Sequence, residues 1–173
     1  MNMVGSILKW MGIVVLVIVL AISLFLFSMR FADGPRGIIA GGAFKTGEPA
    51  ATPENWSRLK DRDTIEFQTM EPARSRTVWL ATHEGRLFIV SGYMKTIYGA
   101  VWKQWPHYMD ADNRIVLRID AKLYDQALER IVDGPDVVPV LQEFQRKYGS
   151  GGIATEATVT SGEVWLYEVR PRS

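Results

Sequence analysis

The sequence contains no cysteine and only two histidines. Disulfide bonds, thiolate metal sites and cysteine nucleophiles are therefore excluded. The histidines, His83 and His107, have no dense cluster of carboxylates at ligand spacing around them, so no zinc site is expected. The G-x-S-x-G elbow of serine hydrolases is also absent. No catalytic residue follows from these common patterns.

Charge is missing from one long segment near the N-terminus. Between Trp10 and Met29 no side chain is charged, and only Ser23 and Ser28 are polar. About 20 apolar residues in a helix cross the hydrocarbon core of a bilayer, which predicts a transmembrane helix over residues 8–30. A cleaved signal peptide is the alternative, but its apolar core is only about 7–15 residues long and ends at small residues. An uncleaved anchor is therefore the expectation.

Outside this segment the chain has no excess of charge. The 20 Lys and Arg stand against 19 Asp and Glu, and setting aside Lys9 leaves 19 against 19. A neutral domain lacks the basic surface of a nucleic-acid-binding protein. Residues 31–54 are rich in Gly, Pro, Ala and Thr without an apolar period, which indicates a linker or stalk. The remaining residues 55–173 are long enough for one hydrophobic core.

Apolar residues alternate with polar ones in much of this C-terminal region, which predicts β-strands. A short helix is expected from Asp136, which we interpret as its cap, to Tyr148, with Gly149 as the stop. The expected fold is mainly β (α+β): a small antiparallel barrel with one or two short helices, preceded by one transmembrane helix. The expected strands cover residues 64–68, 77–82, 87–91, 115–119, 123–131 and 163–169.

Aromatic residues are concentrated between residues 95 and 109. Tyr98, Trp102, Trp105 and Met109 are spaced three or four apart, as on one face of a helix, although Pro106 should end or bend a helix there. A stripe at this spacing usually packs on a core. Its planar rings could equally form the wall of a ligand site.

After this stripe, Trp105 leads into a turn at residues 112–113 and then into the apolar strand 115–117. The chain closes with a strand-like segment, Trp165–Pro171. This order resembles the FMN-binding split-barrel superfamily, which includes pyridoxamine-phosphate-oxidase-like and deazaflavin-dependent nitroreductase-like proteins. The resemblance covers roughly residues 55–171 and implies a split β-barrel.

The resemblance also implies a cofactor, FMN or a deazaflavin, and no metal. Glu71–Arg76 is similar to the phosphate clamp of the deazaflavin branch, since it keeps two arginines and a serine, but it lacks the glycines. Pro106 and His107 stand where that branch has an asparagine. A phosphate is bound by Arg, Lys and hydroxyl donors, and a planar ring by aromatic walls. The candidate cofactor-binding residues are Arg74, Ser75, Arg76, Ser91, Lys95, Trp102, Lys103, Trp105 and Tyr108.

The function expected from the resemblance is a membrane-anchored flavin- or deazaflavin-dependent oxidoreductase acting on a small quinone-like or nitro-aromatic substrate. Such a cofactor carries the hydride itself, which agrees with the missing acid–base machinery. Two alternatives remain. One is a split-barrel module that binds a flavin, haem or lipid-like ligand without turnover, and the other is a membrane-associated structural or assembly protein.

The remaining expectations concern placement and partners. Lys9 stands before the charge-free segment and Arg30, Arg36 and Lys45 stand after it, so the positive-inside rule favours a cytoplasmic domain on a single-pass protein of the plasma (inner) membrane. The resemblance implies a homodimer. The expected partners are therefore the bilayer, a small-molecule substrate and a second copy of the chain, and not nucleic acid.

Overall fold

The computed structural model describes residues 3–97, 99, 104–149 and 155–172. It opens with helix α1 (Met3–Ser28), whose 26 residues span about 39 Å and whose described side chains are all exposed. A single 3-10 turn, Met29–Phe31, follows it directly. The segment Gly5–Phe31 has a mean hydropathy of 2.9 and is long and apolar enough to cross a membrane. A helix of this kind at an N-terminus is typical of a membrane anchor and also of a signal sequence.

The rest of the chain is organised around one sheet in the order β1-β6-β5-β2-β3-β4-β7, and a further pairing of β6 with β7 closes it into a barrel. Six of the strands are antiparallel, while the two-residue β1 runs parallel to the start of β6. The antiparallel barrel expected from the sequence is therefore confirmed. The strands are β1 (Glu48–Pro49), β2 (Thr64–Thr69), β3 (Arg74–His83), β4 (Arg86–Ser91), β5 (Arg114–Ile119), β6 (Lys122–Ile131) and β7 (Trp165–Pro171).

Every second side chain along a strand points into the barrel and fills its interior. In β5, Ile115, Leu117 and Ile119 are completely buried inside the barrel, whereas Val116 and Arg118 point outwards and are half-buried. Successive side chains of a strand face opposite sides of the sheet, so this pattern gives one dry face and one partly wet face. The interior is the larger of two apolar clusters in the molecule.

The barrel is split between β3 and β4. These strands pair only from Leu80 and Ile89 to the hairpin turn, while the first half of β3 pairs with β2 on one edge and, at Ser75, forms a bridge with Gly41 on the other. The end of β4, Val90 and Ser91, pairs instead with β7. The helix α2 (Trp105–Tyr108) packs on the interior next to this opening. Pro106, expected to end a helix, lies in the first turn of α2, where its missing N–H costs nothing.

Helix α3 (Val137–Tyr148) covers the outer face of the β3–β4 hairpin and forms the second cluster with Ala81 and Phe88. It ends at Gly149, as expected, because that residue has a φ of +78°. Asp136 does not cap it through its side chain but accepts a hydrogen bond from Arg86 at 2.7 Å. The sequence did not reveal α4 (Glu156–Thr160), a single turn stabilised by a capping box.

The segment 31–54, predicted to be a stalk, lies along the barrel. Gly41 forms a β-bridge with Ser75 of β3, and Glu48–Pro49 adds to the edge of β6. It contains only a two-residue strand, in agreement with its composition. Its many contacts with the barrel arise from tertiary packing, which composition does not reveal.

Candidate functional site

Two arginines, Arg74 and Arg76, lie at the start of β3, in the half of the strand that does not pair with β4. Arg74 and Arg76 share a strand face with Val78 and Leu80, which belong to the barrel interior. Both guanidinium groups are half-buried, and each has one buried nitrogen without a hydrogen-bond partner: Nη1 of Arg74 and Nε of Arg76. Neither arginine forms an ion pair with any carboxylate in the described part of the chain. The pair therefore presents uncompensated positive charge.

The environment of these arginines is unfavourable to their own charge. Burial above all, together with the neighbouring charge of Arg74, lowers the pKa of Arg76 to about 10, while Tyr108 acts in the opposite direction. Burial and the nearby charge of Arg30 likewise lower the pKa of Arg74. Both side chains nevertheless remain cations at neutral pH. Buried charge is normally paired in proteins, so the pair is suited to bind an anion from outside the chain.

Ser75 lies between the two arginines in sequence but on the opposite face of β3. Its side chain is fully buried, and its hydroxyl donates a hydrogen bond to the carbonyl oxygen of Gly42 at 2.6 Å. The hydroxyl is thus used to hold the segment 41–42 on the strand. The alternation of β3 separates Ser75 from the arginines, and the structure does not bring the three together.

Ser91 and Lys95 lie on the other side of the split. Ser91 is fully buried at the end of β4, where its hydroxyl contacts the Met94 sulfur at 3.3 Å. Lys95 is exposed, and its stem lies beside Gly162. In the described part of the chain, no hydrogen bond joins either residue to Arg74 or Arg76.

The aromatic candidates take different positions. Trp105 is 2% exposed and packs edge-on against Phe67 of β2 and at a tilt against Tyr167 of β7, at 4.9 and 5.3 Å between ring centroids. Its ring therefore fills the core and offers no free face to a cofactor. Tyr108, one turn later, is half-buried and close enough to act electrostatically on both arginines. The other two candidates, Trp102 and Lys103, lie outside the described residues.

A second feature is an open groove of about 460 Å³ that begins where α2 ends. Its walls are the loop from Met109 to Arg114, residues 128–130 of β6, and Tyr167. Tyr167 is 2% exposed, and its hydroxyl has no hydrogen-bond partner among the described residues. Burial raises the pKa of this phenol, so it stays protonated. Sequence reasoning missed Tyr167, although its alternation with Trp165 in the last strand could have placed both on one face.

One group of side chains has the spacing of a metal site. Ligand atoms of His83, Glu84 and Asp136 lie within 4.8 Å of one another. However, Arg86 donates to Asp136 at 2.7 Å and approaches Glu84 at 3.5 Å, so a guanidinium already supplies the positive charge there. The group is best described as an ion-pair network at the hairpin turn.

No family model matches the sequence, and no curated protein matches it significantly. Solved structures with a similar fold include a conserved hypothetical protein of Mycobacterium tuberculosis (13% identity, TM-score 0.45, 74% of this chain and 87% of that one). An F420 reductase matches at 16% identity and a TM-score of 0.42, over 70% of this chain and 97% of its own. The heme storage protein HutZ of Vibrio cholerae matches at 8% identity and 0.42, over 68% and 87%. At these values the likeness concerns the arrangement of strands, and the function has to be argued from the side chains.

Proposed function

We propose that this protein is a membrane-anchored oxidoreductase that uses FMN or a deazaflavin to act on a small quinone-like or nitro-aromatic substrate. The observation that carries the proposal is the arginine pair of β3. Arg74 and Arg76 are half-buried, lack any carboxylate partner in the described residues, and keep buried nitrogens without hydrogen bonds. A phosphate group satisfies these donors, because guanidinium groups bind phosphate oxygens in a charge-assisted, often bidentate manner.

Each residue of the proposed site has a distinct part. Arg74 and Arg76 hold the cofactor phosphate, and Tyr108 borders the same opening. Trp105 closes the interior behind them and keeps water out of the barrel. When bound, the cofactor supplies the hydride chemistry, so the protein need only bind, orient and shield it.

Cofactor titration tests the proposal. The full-length protein in detergent is titrated with FMN and with the deazaflavin F420, and binding is followed by quenching of cofactor fluorescence. Arg76→Met should weaken binding by about tenfold or more, the loss expected for one charge-assisted contact. Arg146→Met is the matched control, since Arg146 is an exposed arginine of α3, a helix that does not contribute to the proposed site. Binding of neither cofactor, or equal binding by both variants, would contradict the proposal.

A second candidate is a non-catalytic module that binds such a cofactor in the same place. Within the described residues no histidine or carboxylate contacts Arg74 or Arg76, so the opening holds binding groups and one phenol. Turnover separates the two functions. Reduction of menadione or a nitro-aromatic dye by the loaded protein supports the oxidoreductase, whereas tight binding without turnover supports the module.

The location is part of the same proposal. We infer that α1 is an uncleaved anchor in the plasma (inner) membrane, with the barrel on the cytoplasmic side, because more basic residues follow the helix than precede it. A reporter fused to the C-terminus tests this orientation. Homodimerisation, implied by the resemblance, is tested by light scattering of the detergent-solubilised protein.

A further inference from the structure

Residues 29–46, which follow α1 and form a segment that we name the strap, are fixed to the barrel. Met29, the first strap residue, is only 3% exposed. Further along, the N–H of Gly42 donates to the carbonyl oxygen of Ala32 at 3.2 Å, so the strap folds back on itself. A Cβ at Gly42 would lie 2.2 Å from the carbonyl oxygen of Arg30, which shows how closely the backbone at residue 42 approaches the backbone at residue 30.

The strap is bonded to the strand that carries the arginine pair. Gly41 and Ser75 exchange two backbone hydrogen bonds, at 2.9 and 3.2 Å, and the Ser75 hydroxyl donates to Gly42. Ser75 is the residue between Arg74 and Arg76. The end of α1 is therefore joined to the candidate site by a short series of direct contacts. The charge of Arg30 even lowers the pKa of Arg74 across this junction.

A second set of contacts neutralises the one acid of the strap. Asp33 pairs with Arg118 of β5 at 2.9 Å, and the backbone N–H of Lys45 donates to it at 2.7 Å. The guanidinium of Arg118 also lies over the ring of Phe44, 4.3 Å from its centroid. Since Asp33 is engaged with the barrel, the outer surface of the strap carries only positive charge.

That outer surface has the composition of a membrane contact. Phe31 and Ile38 are 63% and 85% exposed. Arg30, Arg36 and Lys45 are exposed and form no ion pair with any described residue. Large apolar side chains interspersed with cations next to a hydrophobic span are typical of segments that lie in the headgroup layer of anionic bilayers.

We propose that the strap lies against the anionic headgroup layer and holds the opening at Arg74 and Arg76 at the membrane surface. Ile38 and Phe31 enter the interface, while the strap cations bind lipid phosphates. This inference rests on the proposed function only in that α1 spans the bilayer. The site is thus fixed at the bilayer surface, whereas a flexible stalk would let it move away.

The absence of cysteine makes the proposal directly testable, because single cysteines can be spin-labelled without background. Full-length Ile38→Cys and Val138→Cys proteins are placed in nanodiscs of phosphatidylcholine with and without phosphatidylglycerol. Val138 is the matched control, an exposed aliphatic residue of α3 next to the hairpin end of β3. The label at residue 38 should lose collisions with a water-soluble nickel complex and gain collisions with oxygen, more so with phosphatidylglycerol. Equal accessibility of both labels would overturn the proposal.

A third label reports the site itself. Ala73 is exposed and precedes Arg74, so an Ala73→Cys label should also be shielded from nickel. Gly42→Ala should abolish that shielding, since its Cβ collides with the Arg30 carbonyl, whereas Gly92→Ala has open space and should not. If Gly42→Ala fails to fold, Ser75→Ala serves instead. If the label at residue 73 is as accessible as the label at residue 138, in proteins that carry no strap substitution, the placement of the site is overturned.

The outcomes separate this inference from the proposed function. Shielded labels in a protein that binds no cofactor would overturn the oxidoreductase proposal and support the strap contact. Accessible labels in a protein that binds a cofactor would do the reverse. Extraction of the full-length protein from membranes by alkaline carbonate would overturn both the anchor and the strap contact.

Discussion

The hydroxyl of Ser75 donates a 2.6 Å hydrogen bond to the carbonyl oxygen of Gly42. It connects β3 to a segment more than thirty positions earlier in the chain and does so in a fully buried place. Because Ser75 separates Arg74 from Arg76, this one bond positions both the strap and the strand that carries the candidate anion site.

Ser75→Ala should lower the free energy of unfolding by about 1–2 kcal/mol, because the Gly42 carbonyl oxygen loses its donor in a buried place. Ser57→Ala is the control, since Ser57 is exposed and its hydroxyl makes no hydrogen bond in the described structure. Thermal unfolding of the detergent-solubilised protein, followed by circular dichroism, measures the difference. Identical stability of the two variants would show that the bond contributes nothing.

Tyr167→Phe should leave stability unchanged or raise it by about 1 kcal/mol, since it removes a buried hydroxyl that forms no hydrogen bond in the described part of the chain. The matched change Tyr148→Phe should lower stability by about 1 kcal/mol. The Tyr148 hydroxyl accepts from the Leu80 N–H at 3.1 Å and lies 2.9 Å from the Leu80 carbonyl oxygen. Parallel unfolding curves of the two variants provide the measurement, and a reversed order would contradict the assignment.

Arg76→Met should stabilise the cofactor-free protein by about 1 kcal/mol while it weakens cofactor binding, because it removes a buried charge that has no counterion among the described residues. Arg118→Met should lower stability, since Arg118 forms ion pairs with Glu66 at 2.7 Å and with Asp33 at 2.9 Å. Unfolding without added cofactor and fluorescence titration with it give the two readouts. A loss of stability in Arg76→Met would mean that the chain itself supplies a partner to this guanidinium.

Asp33 should give the fold a specific sensitivity to acid. The Lys45 backbone N–H, the Thr46 hydroxyl and Arg118 together lower the pKa of Asp33 to about 2 from its ordinary value of 3.8. A folded-state pKa below the unfolded value means that the stabilisation is complete above about pH 4 and is lost as the pH falls towards 2.

Unfolding between pH 5 and pH 2 tests this expectation. Asp33→Asn should remove part of the decline in stability, since the amide does not titrate there. Asp133→Asn is the control, because Asp133 is exposed and has no ion pair in the described part of the chain. An unchanged slope in Asp33→Asn would contradict the role given to this carboxylate.

Local patterns in the sequence were sufficient for most of the elements, with α4 and the short β1 as exceptions. The charge-free run from Trp10 to Met29 predicted α1, because crossing a bilayer needs length and hydropathy alone. The alternation of β5 predicted a strand with one buried face, and Gly149 marked the end of α3. Each of these signals lies within a few residues of the feature that it predicts.

The site needed information that no local pattern contains. Trp105 reads like an aromatic wall in sequence, but it fills the gap between Phe67 and Tyr167, which lie far from it along the chain. Residues 31–54 resemble a linker in sequence because they show no apolar period. In the structure, however, glycines of this segment allow the strap to pack closely.

The sequence by itself determined the long apolar helix, the strands and the two arginines as candidates, since these follow from hydropathy, period and charge. Only the tertiary structure decided that Arg74 and Arg76 have no carboxylate partner among the described residues, that Ser75 turns away from them, and that the strap is bonded to their strand. The physical reason is register. Which face of β3 is inside, and which partners it meets, depends on pairing with β2 and on packing of residues distant in the chain.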